Sequence, residues 1–173
     1  MTTLLFDSNA LYQPTKHQAV LNMLSPQKSI KKQDFTTAKI LAHKTQQLQQ
    51  TYPFLSKNHS GGYAATLHST LKMGLDLEIQ KPRNINAHLE LCCNAFERHY
   101  ITQSQNIMLT FYQIWTLKEA ILKLYDLKLD SIKNVGLSEN GAFGTTKDPI
   151  VFKHLNIKNL LITLAWNPNP FML

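Results

Sequence analysis

The segment 71–79, LKMGLDLEI, is the part of this 173-residue chain that most restricts its fold. Its apolar and polar residues alternate, which is the pattern of a strand with one face against a core. The polar face carries a lysine, a glycine and two carboxylates: Lys72, Gly74, Asp76 and Glu78. Pro82 follows, and it cannot donate a backbone hydrogen bond to a sheet. The sequence therefore predicts a half-buried strand that presents two carboxylates and ends before Pro82.

A second motif, WTLKEAILK at residues 115–123, has the spacing of an amphipathic helix. Its apolar stripe is expected to pack inward: Ile114, Leu117, Ile121 and Leu124. A polar stripe runs beside it: Thr116, Glu119, Lys123 and Asp126. Glu119 and Lys123 stand in the favourable i, i+4 order, which by itself indicates a surface ion pair worth about 0.2–0.5 kcal/mol. Trp115 is expected to pack in a core or against a partner.

Together the two motifs predict a cation site. Residues two apart in a strand face the same side and lie about 7 Å apart, so Asp76 and Glu78 can share a hard ion. Mg²⁺ is typically held by one or two carboxylates together with substrate phosphates. Each motif alone is typical of a solvent-exposed surface. In combination they supply three carboxylates and a lysine to one metal–phosphate site: Asp76, Glu78, Glu119 and Lys123.

The rest of the pattern predicts an α+β fold in two halves. Strands are expected at 3–6, 63–68, 71–79 and 160–166, and helices at 34–51, 85–99 and 107–127, with residues 18–24 ending a first helix. This βααβ–βααββ order is typical of α+β proteins and is similar in both halves. The predicted division is an N-terminal lobe at residues 1–70 and a C-terminal lobe at residues 71–173, which carries the metal and catalytic motifs.

Composition restricts the partners. A net charge of +7 favours a polyanion: nucleic acid, an anionic membrane, a phosphorylated small molecule or an acidic protein. The basic residues are scattered, which argues against nucleic acid. No apolar run reaches the roughly 20 residues that span a bilayer, and the start, MTTLLFDSNALYQ, lacks the regions of a secretory signal. The adjacent Cys92 and Cys93 are expected to be reduced, so a cytoplasmic protein without membrane or nucleic-acid partners is expected.

Four segments carry a resemblance to a known family. GLDLE at 74–78 matches the pattern G-[IV]-D-[IV]-E, and WTLKEAILK at 115–123 matches W-[ST]-x-K-E-[AS]-x-x-K. KNHSGGYA at 57–64 is similar to the turn S-H-S-x-G-x-x-A, and LSPQKSIKKQDF at 24–35 to a basic N-terminal segment. The family is the 4′-phosphopantetheinyl transferases, in particular their short, two-lobed monomeric branch (Sfp-like).

The resemblance implies two similar α+β lobes packed as a pseudo-dimer, in a monomer that moves the phosphopantetheine arm of coenzyme A, its co-substrate, onto a serine of an acidic carrier protein. It implies Mg²⁺ bound by Asp76, Glu78 and Glu119, with Glu119 the candidate base. Lys123 and His59 would neutralise phosphate charge. Lys28, Lys31 and Lys44 would hold the adenosine 3′-phosphate and the adjoining phosphates. The catalytic residues implied are therefore Glu119, Lys123 and His59.

The chain also departs from the family pattern. Asn58 stands where the family turn begins with serine, the G-K-P loop before that turn is absent, and Leu127-Lys128-Leu129-Asp130 replaces the family's G-x-G-L. These departures fall on substrate-gripping loops and leave the carboxylates in place. Three alternatives stay open: a degenerate family member that binds coenzyme A without transferring anything, a basic nucleic-acid-binding protein, and a structural interaction module.

Overall fold

The structure, a computed structural model, describes residues 2–8, 17–24, 43, 46–137, 143–145 and 148–168. Within these residues the strands are β1 (Thr2–Ser8), β2 (His17–Leu24), β3 (Phe54–Ser60), β4 (Tyr63–Ser69), β5 (Met73–Ile79), β6 (Gly136–Leu137), β7 (Phe143–Thr145), β8 (Asp148–Pro149), β9 (Val151–Ile157) and β10 (Leu160–Trp166). The α-helices are α1 (Asn86–Cys92), α2 (Ala95–Thr102) and α3 (Ile107–Leu124). Short 3₁₀ helices lie at Gln46–Gln50 and Leu129–Asn134.

The first sheet has the strand order β1-β2-β4-β3, with antiparallel pairing throughout. The prediction that residues 18–24 end a helix is wrong, because β2 occupies them. Residues 19–23 are all buried, so no alternation of polar and apolar residues marks the strand. A strand covered on both faces has this kind of continuous pattern.

The second sheet has the order β5-β10-β9 and is also antiparallel. Its central strand, β10, confirms the predicted strand at 160–166. The predicted strand at 71–79 is confirmed as β5, yet it is not half-buried, because residues 74–77 are all buried. One face of β5 packs toward the first sheet and the other lies under α3. Burial of the polar face is what the alternating sequence could not reveal.

Two apolar cores hold these layers together. The core between the sheets contains Leu21 and Leu67 from the first sheet and Leu75, Leu77 and Ile162 from the second. The core on the far side of the second sheet gathers the apolar side of α3. The four residues predicted to pack inward from that helix are all buried: Ile114, Leu117, Ile121 and Leu124. The second sheet therefore lies between the first sheet and the helices.

The single helix predicted at 85–99 is two helices, α1 and α2, separated at Cys93 and Asn94. Asn94 starts α2 with a capping box: its side chain accepts from the Glu97 backbone N–H, and the Glu97 side chain accepts from the Asn94 N–H. A side chain that satisfies free N–H groups in this way favours a new helix start. The predicted helix at 34–51 lies mostly outside the described residues, and its described end is a 3₁₀ helix.

The α+β class is confirmed. The division into similar lobes at residue 70 and their packing as a pseudo-dimer stay predictions. Cys92 and Cys93 are buried and free, as expected. Among the described residues, none of the helices has both the length and the apolar character that crossing a bilayer requires.

Candidate active site

The two motifs meet where α3 crosses β5. Gly74, the first residue of GLDLE, faces the backbone of α3 at Ala120 of WTLKEAILK. A Cβ atom on Gly74 would lie 1.8 Å from the Ala120 carbonyl oxygen, so only glycine allows the helix to approach this closely. This contact brings the strand and the helix together at one point, and Asp76 lies two residues further along the same face of β5.

Asp76 is the buried centre of the site, with a side chain 1% exposed. The Lys123 ammonium lies 2.7 Å from its Oδ1 atom, and the Asn58 side-chain amide donates to the same oxygen. Burial raises the pKa of Asp76 well above its usual range; the Lys123 charge opposes this shift, and the Glu119 charge adds to it. Asp76 is therefore a costly buried anion that a cation would stabilise.

Glu119 is the second carboxylate at this point, and its side chain is 22% exposed. Its Oε2 atom lies 3.8 Å from the Lys123 ammonium, which is thus shared between Glu119 and Asp76. Within the described residues, the other oxygen of Asp76, Oδ2, is buried and has no hydrogen-bond partner. A buried oxygen without a donor, beside a second carboxylate, is the environment that a bound cation would satisfy.

Glu78 lies further along the same strand and has a different partner. Ser60 donates from its hydroxyl to the Glu78 Oε2 atom at 2.9 Å. In the part of the chain that the structure describes, no group of three or more His, Cys, Asp and Glu side chains is placed to hold a metal ion. The structure thus brings Asp76, Glu119 and Lys123 together, and the three-carboxylate ligand set stays a prediction.

Strand β3 supplies two contacts that the sequence reading missed. Asn58 donates to Asp76, and Ser60 donates to Glu78, so β3 runs beside β5 in the same direction. The signal was present: Asn58 and Ser60 are two apart, as are the carboxylates they contact. What the sequence lacked was any indication that β3 and β5 are neighbours, since each is an edge strand of its own sheet.

His59 lies between these two residues and is half-buried. Because side chains alternate along a strand, its ring leaves β3 on the opposite face from Asn58 and Ser60. It belongs to the strand rather than to the turn, which is formed by Gly61 and Gly62. Its phosphate role stays a prediction. Lys28, Lys31 and Lys44, predicted to hold the adenosine end of coenzyme A, lie outside the described residues.

A row of polar side chains crosses the second sheet beneath α3. Asp76, Thr163 and His154 are paired across β5, β10 and β9. His154 Nδ1 lies 2.8 Å from the Thr163 hydroxyl, which lies 2.6 Å from the Thr116 hydroxyl of α3. Thr116 also bonds the Tyr112 carbonyl, so a single direction of donation, starting from His154, satisfies every hydroxyl. Burial lowers the pKa of His154, in keeping with a neutral ring.

Comparison with known proteins points to one family. The model of the 4′-phosphopantetheinyl transferase superfamily matches residues 72–158, half of the chain. A Haemophilus influenzae protein named "Putative 4'-phosphopantetheinyl transferase" is 29% identical over 83 residues, 45% of this chain and 35% of that protein. The alignment thus spans about a third of that curated relative's length. Because the superfamily match contains β5, α3 and the carboxylates that they bring together, the chain belongs to the 4′-phosphopantetheinyl transferase superfamily.

Proposed function

We propose that this chain is a magnesium-dependent transferase that moves the 4′-phosphopantetheine arm of coenzyme A onto a serine of an acyl or peptidyl carrier protein. The product released is 3′,5′-ADP. The observation that carries this proposal is the Asp76 carboxylate, which is buried beside Glu119 and whose Oδ2 atom has no hydrogen-bond partner among the described residues. Family membership supports phosphopantetheinyl transfer in general. The two carboxylates, Asp76 and Glu119, support a phosphate substrate that binds together with a cation.

The residues fit a magnesium ion. A hard cation needs oxygen ligands and is often held by only one or two carboxylates when substrate phosphates supply the rest. Asp76 and Glu119 would hold it, and Glu78, on the same face of β5, would join them directly or through water. When bound, the ion neutralises the charge that develops on the transferred and departing phosphates.

Glu119 is the candidate general base. It is the more exposed of the two carboxylates that meet at the site, so an incoming serine hydroxyl can reach it from solvent. In the proposed step the serine oxygen attacks the β-phosphorus of coenzyme A, Glu119 accepts the serine proton, and the bond to the 3′,5′-ADP oxygen breaks. Such a displacement depends on alignment and charge neutralisation more than on covalent catalysis.

Lys123 would neutralise phosphate charge in the same step. Its side chain is 31% exposed, so the ammonium can turn from Asp76 toward a substrate phosphate. The other proposed substrate contacts are His59 for phosphate and Lys28, Lys31 and Lys44 for the adenosine end. The positive net charge would steer an acidic carrier protein to the site. A cytoplasmic monomer is the setting that we propose for this reaction.

Mass spectrometry of a carrier protein incubated with this chain, coenzyme A and Mg²⁺ tests the proposal. A mass gain equal to one phosphopantetheine arm is expected. If coenzyme A binds with no such gain for any carrier tested, the chain is a degenerate, coenzyme A-binding member of the family. Binding of nucleic acid without binding of coenzyme A would favour the nucleic-acid-binding alternative.

Glu119→Gln tests the proposed base. Glutamine keeps the size of the side chain and removes its charge and its basic oxygen. Transfer should fall roughly 10²–10⁴-fold, as expected for loss of a general base, while calorimetric binding of coenzyme A is largely retained. Glu90→Gln, which removes the same charge from an exposed position on α1, is the matched control and should transfer normally. Near-normal turnover by Glu119→Gln would exclude both proposed roles of Glu119.

A further inference from the structure

Lys118 and Glu97 form an ion pair that the reaction does not use. The Lys118 ammonium lies 2.6 Å from the Glu97 Oε2 atom, and both side chains are 0% exposed. Lys118 belongs to α3 and directly precedes Glu119, whereas Glu97 belongs to α2. The pair therefore ties the catalytic helix to its neighbour at the residue beside the candidate base.

Both oxygens of the Glu97 carboxylate accept hydrogen bonds. Besides Lys118, it accepts from the Asn94 backbone N–H at 2.9 Å and from the Leu137 backbone N–H at 3.0 Å. Gly136 has a φ of +132°, and a Cβ atom there would lie 1.9 Å from the Glu97 Oε1 atom. The anchor for Lys118 is thus fixed by the start of α2 and by β6 together, and has little freedom to shift.

Stability alone does not account for such a pair. Desolvation of two charges offsets most of their attraction, so replacing a buried pair by apolar residues of similar volume is often neutral or stabilising. What the pair supplies is one defined arrangement of α3. Successive residues of a helix are about 100° apart around its axis, so anchoring Lys118 on Glu97 determines the direction of Glu119. The Gly74–Ala120 contact sets how closely the helix approaches β5.

We propose that Lys118 is a positioning residue: its pair with Glu97 sets the rotation of α3 so that Glu119 and Lys123 both face Asp76. Lys123 is one turn beyond Glu119, so an error in rotation displaces both residues together. The catalytic part of this inference rests on the proposed function; the geometric part concerns only the folded chain. Displacement of a catalytic group by about 1 Å can cost roughly 10²-fold in rate.

The test is the double variant Glu97→Leu/Lys118→Met, which removes both buried charges and keeps the volume similar. Its matched control is Lys72→Met/Asp126→Asn, which removes an exposed ion pair of 2.7 Å between the residue that precedes β5 and the turn that follows α3, with side chains 41% and 80% accessible. Four quantities are measured for each protein: the melting temperature, kcat, KM for coenzyme A, and the ¹⁵N-detected NMR signal of the Lys123 side-chain ammonium.

The double variant should stay folded, lose roughly 10–100-fold in kcat and lose the Lys123 signal that is protected by Asp76. The control variant should keep the wild-type kcat and the wild-type Lys123 signal. A folded double variant with wild-type kcat and an unchanged Lys123 signal would overturn the inference and leave the pair a purely structural one. If the wild-type protein transfers nothing, the proposed function fails, while the Lys123 signal still tests the positioning of α3.

A second variant covers the case in which the double variant does not fold. Glu97→Asp keeps both charges and draws the anchor back by one methylene group. The same proposal then requires a smaller loss of kcat and a shifted Lys123 signal in a folded protein. Wild-type values of both quantities in folded Glu97→Asp would also overturn the proposal.

Discussion

At the scale of single residues, Asp76 illustrates a conflict between stability and function. Its carboxylate is buried, one of its oxygens has no partner among the described residues, and Glu119 lies beside it. A buried charge of this kind costs free energy unless it is fully paired. A cation bound beside Asp76, as proposed above, would offset that cost.

Asp76→Asn should therefore stabilise the metal-free protein. The amide keeps an acceptor for Lys123 and offers Glu119 a donor in place of a like charge. We expect a melting temperature about 2–4 °C higher, the shift that roughly 1 kcal/mol produces in a chain of this size. Transfer activity should be lost. Scanning calorimetry in the presence of a chelator measures the first effect, with exposed Glu90→Gln as the control.

The dependence of stability on pH tests whether the buried Asp76 charge is the cause of this stabilisation. Because the pKa of Asp76 is raised in the folded state, that state binds more protons than the unfolded chain between the two pKa values. The stability of the wild-type protein should thus fall as the pH rises through this range. Asp76→Asn should lack that contribution. A variant that is less stable at neutral pH, with the same pH dependence as the wild-type protein, would contradict the assignment of Asp76 as an incompletely compensated buried charge.

At the scale of elements, the site depends on how closely α3 approaches β5. The Ala120 carbonyl lies where a side chain on Gly74 would begin, and the backbone nitrogen of Leu124 would be only 3.0 Å away. These neighbours are backbone atoms, which cannot turn aside as a flexible side chain can. The first residue of GLDLE is thus a packing requirement of the helix, whereas the proposed functional group is the Asp76 carboxylate two residues later.

Gly74→Ala should push the helix off the strand. Overpacking of this kind typically costs about 1–3 kcal/mol, and the Lys123–Asp76 contact should lengthen, so kcat should fall as well. Denaturant unfolding and a transfer assay measure the two effects. Adding Ala120→Gly should not restore either property, because the obstacle is the carbonyl of residue 120 and not its methyl group. Wild-type stability of Gly74→Ala, or rescue by Ala120→Gly, would contradict this packing argument.

At the scale of the whole molecule, the net charge of +7 is the main property that a carrier protein would sense from a distance. Exposed charges are screened beyond about 10 Å at 0.1 M salt, whereas contacts inside a desolvated site are screened less. Raising the salt concentration should therefore raise KM for an acidic carrier protein much more than KM for coenzyme A. A steady-state assay over a series of salt concentrations measures both. Equal increases in the two constants would show that net charge has no special role in carrier binding.

Much of the site could be predicted from the sequence because its motifs are local. GLDLE places two carboxylates on one face of a strand, and WTLKEAILK places Glu119 and Lys123 one helical turn apart. The apolar residues of the helix, such as Leu117 and Ile121, are buried as their spacing predicted. Strands 63–68 and 160–166 and the α+β class were also readable, because periodicity and turn residues depend on near neighbours in the chain.

Most of the errors concern burial or contact over a long distance in the chain, whereas the break in the predicted 85–99 helix comes from a local cap. Residues 18–24 lack alternation because both faces of β2 are covered, and the 85–99 helix is interrupted where Asn94 caps a new one. The approach of β3 to β5 joins Asn58 to Asp76, eighteen positions apart, and no local pattern records it.

By itself the sequence determined which groups are available: the carboxylates Asp76, Glu78 and Glu119, the cation Lys123, and the periodicity of the strand and the helix that carry them. Only the tertiary structure decided which of them meet. Asp76 is buried because α3 lies across Gly74. Glu78 accepts a hydrogen bond from Ser60, and Lys118 is wholly buried against Glu97. Residue type determines which chemical groups are available, but desolvation and proximity arise only when distant segments pack together.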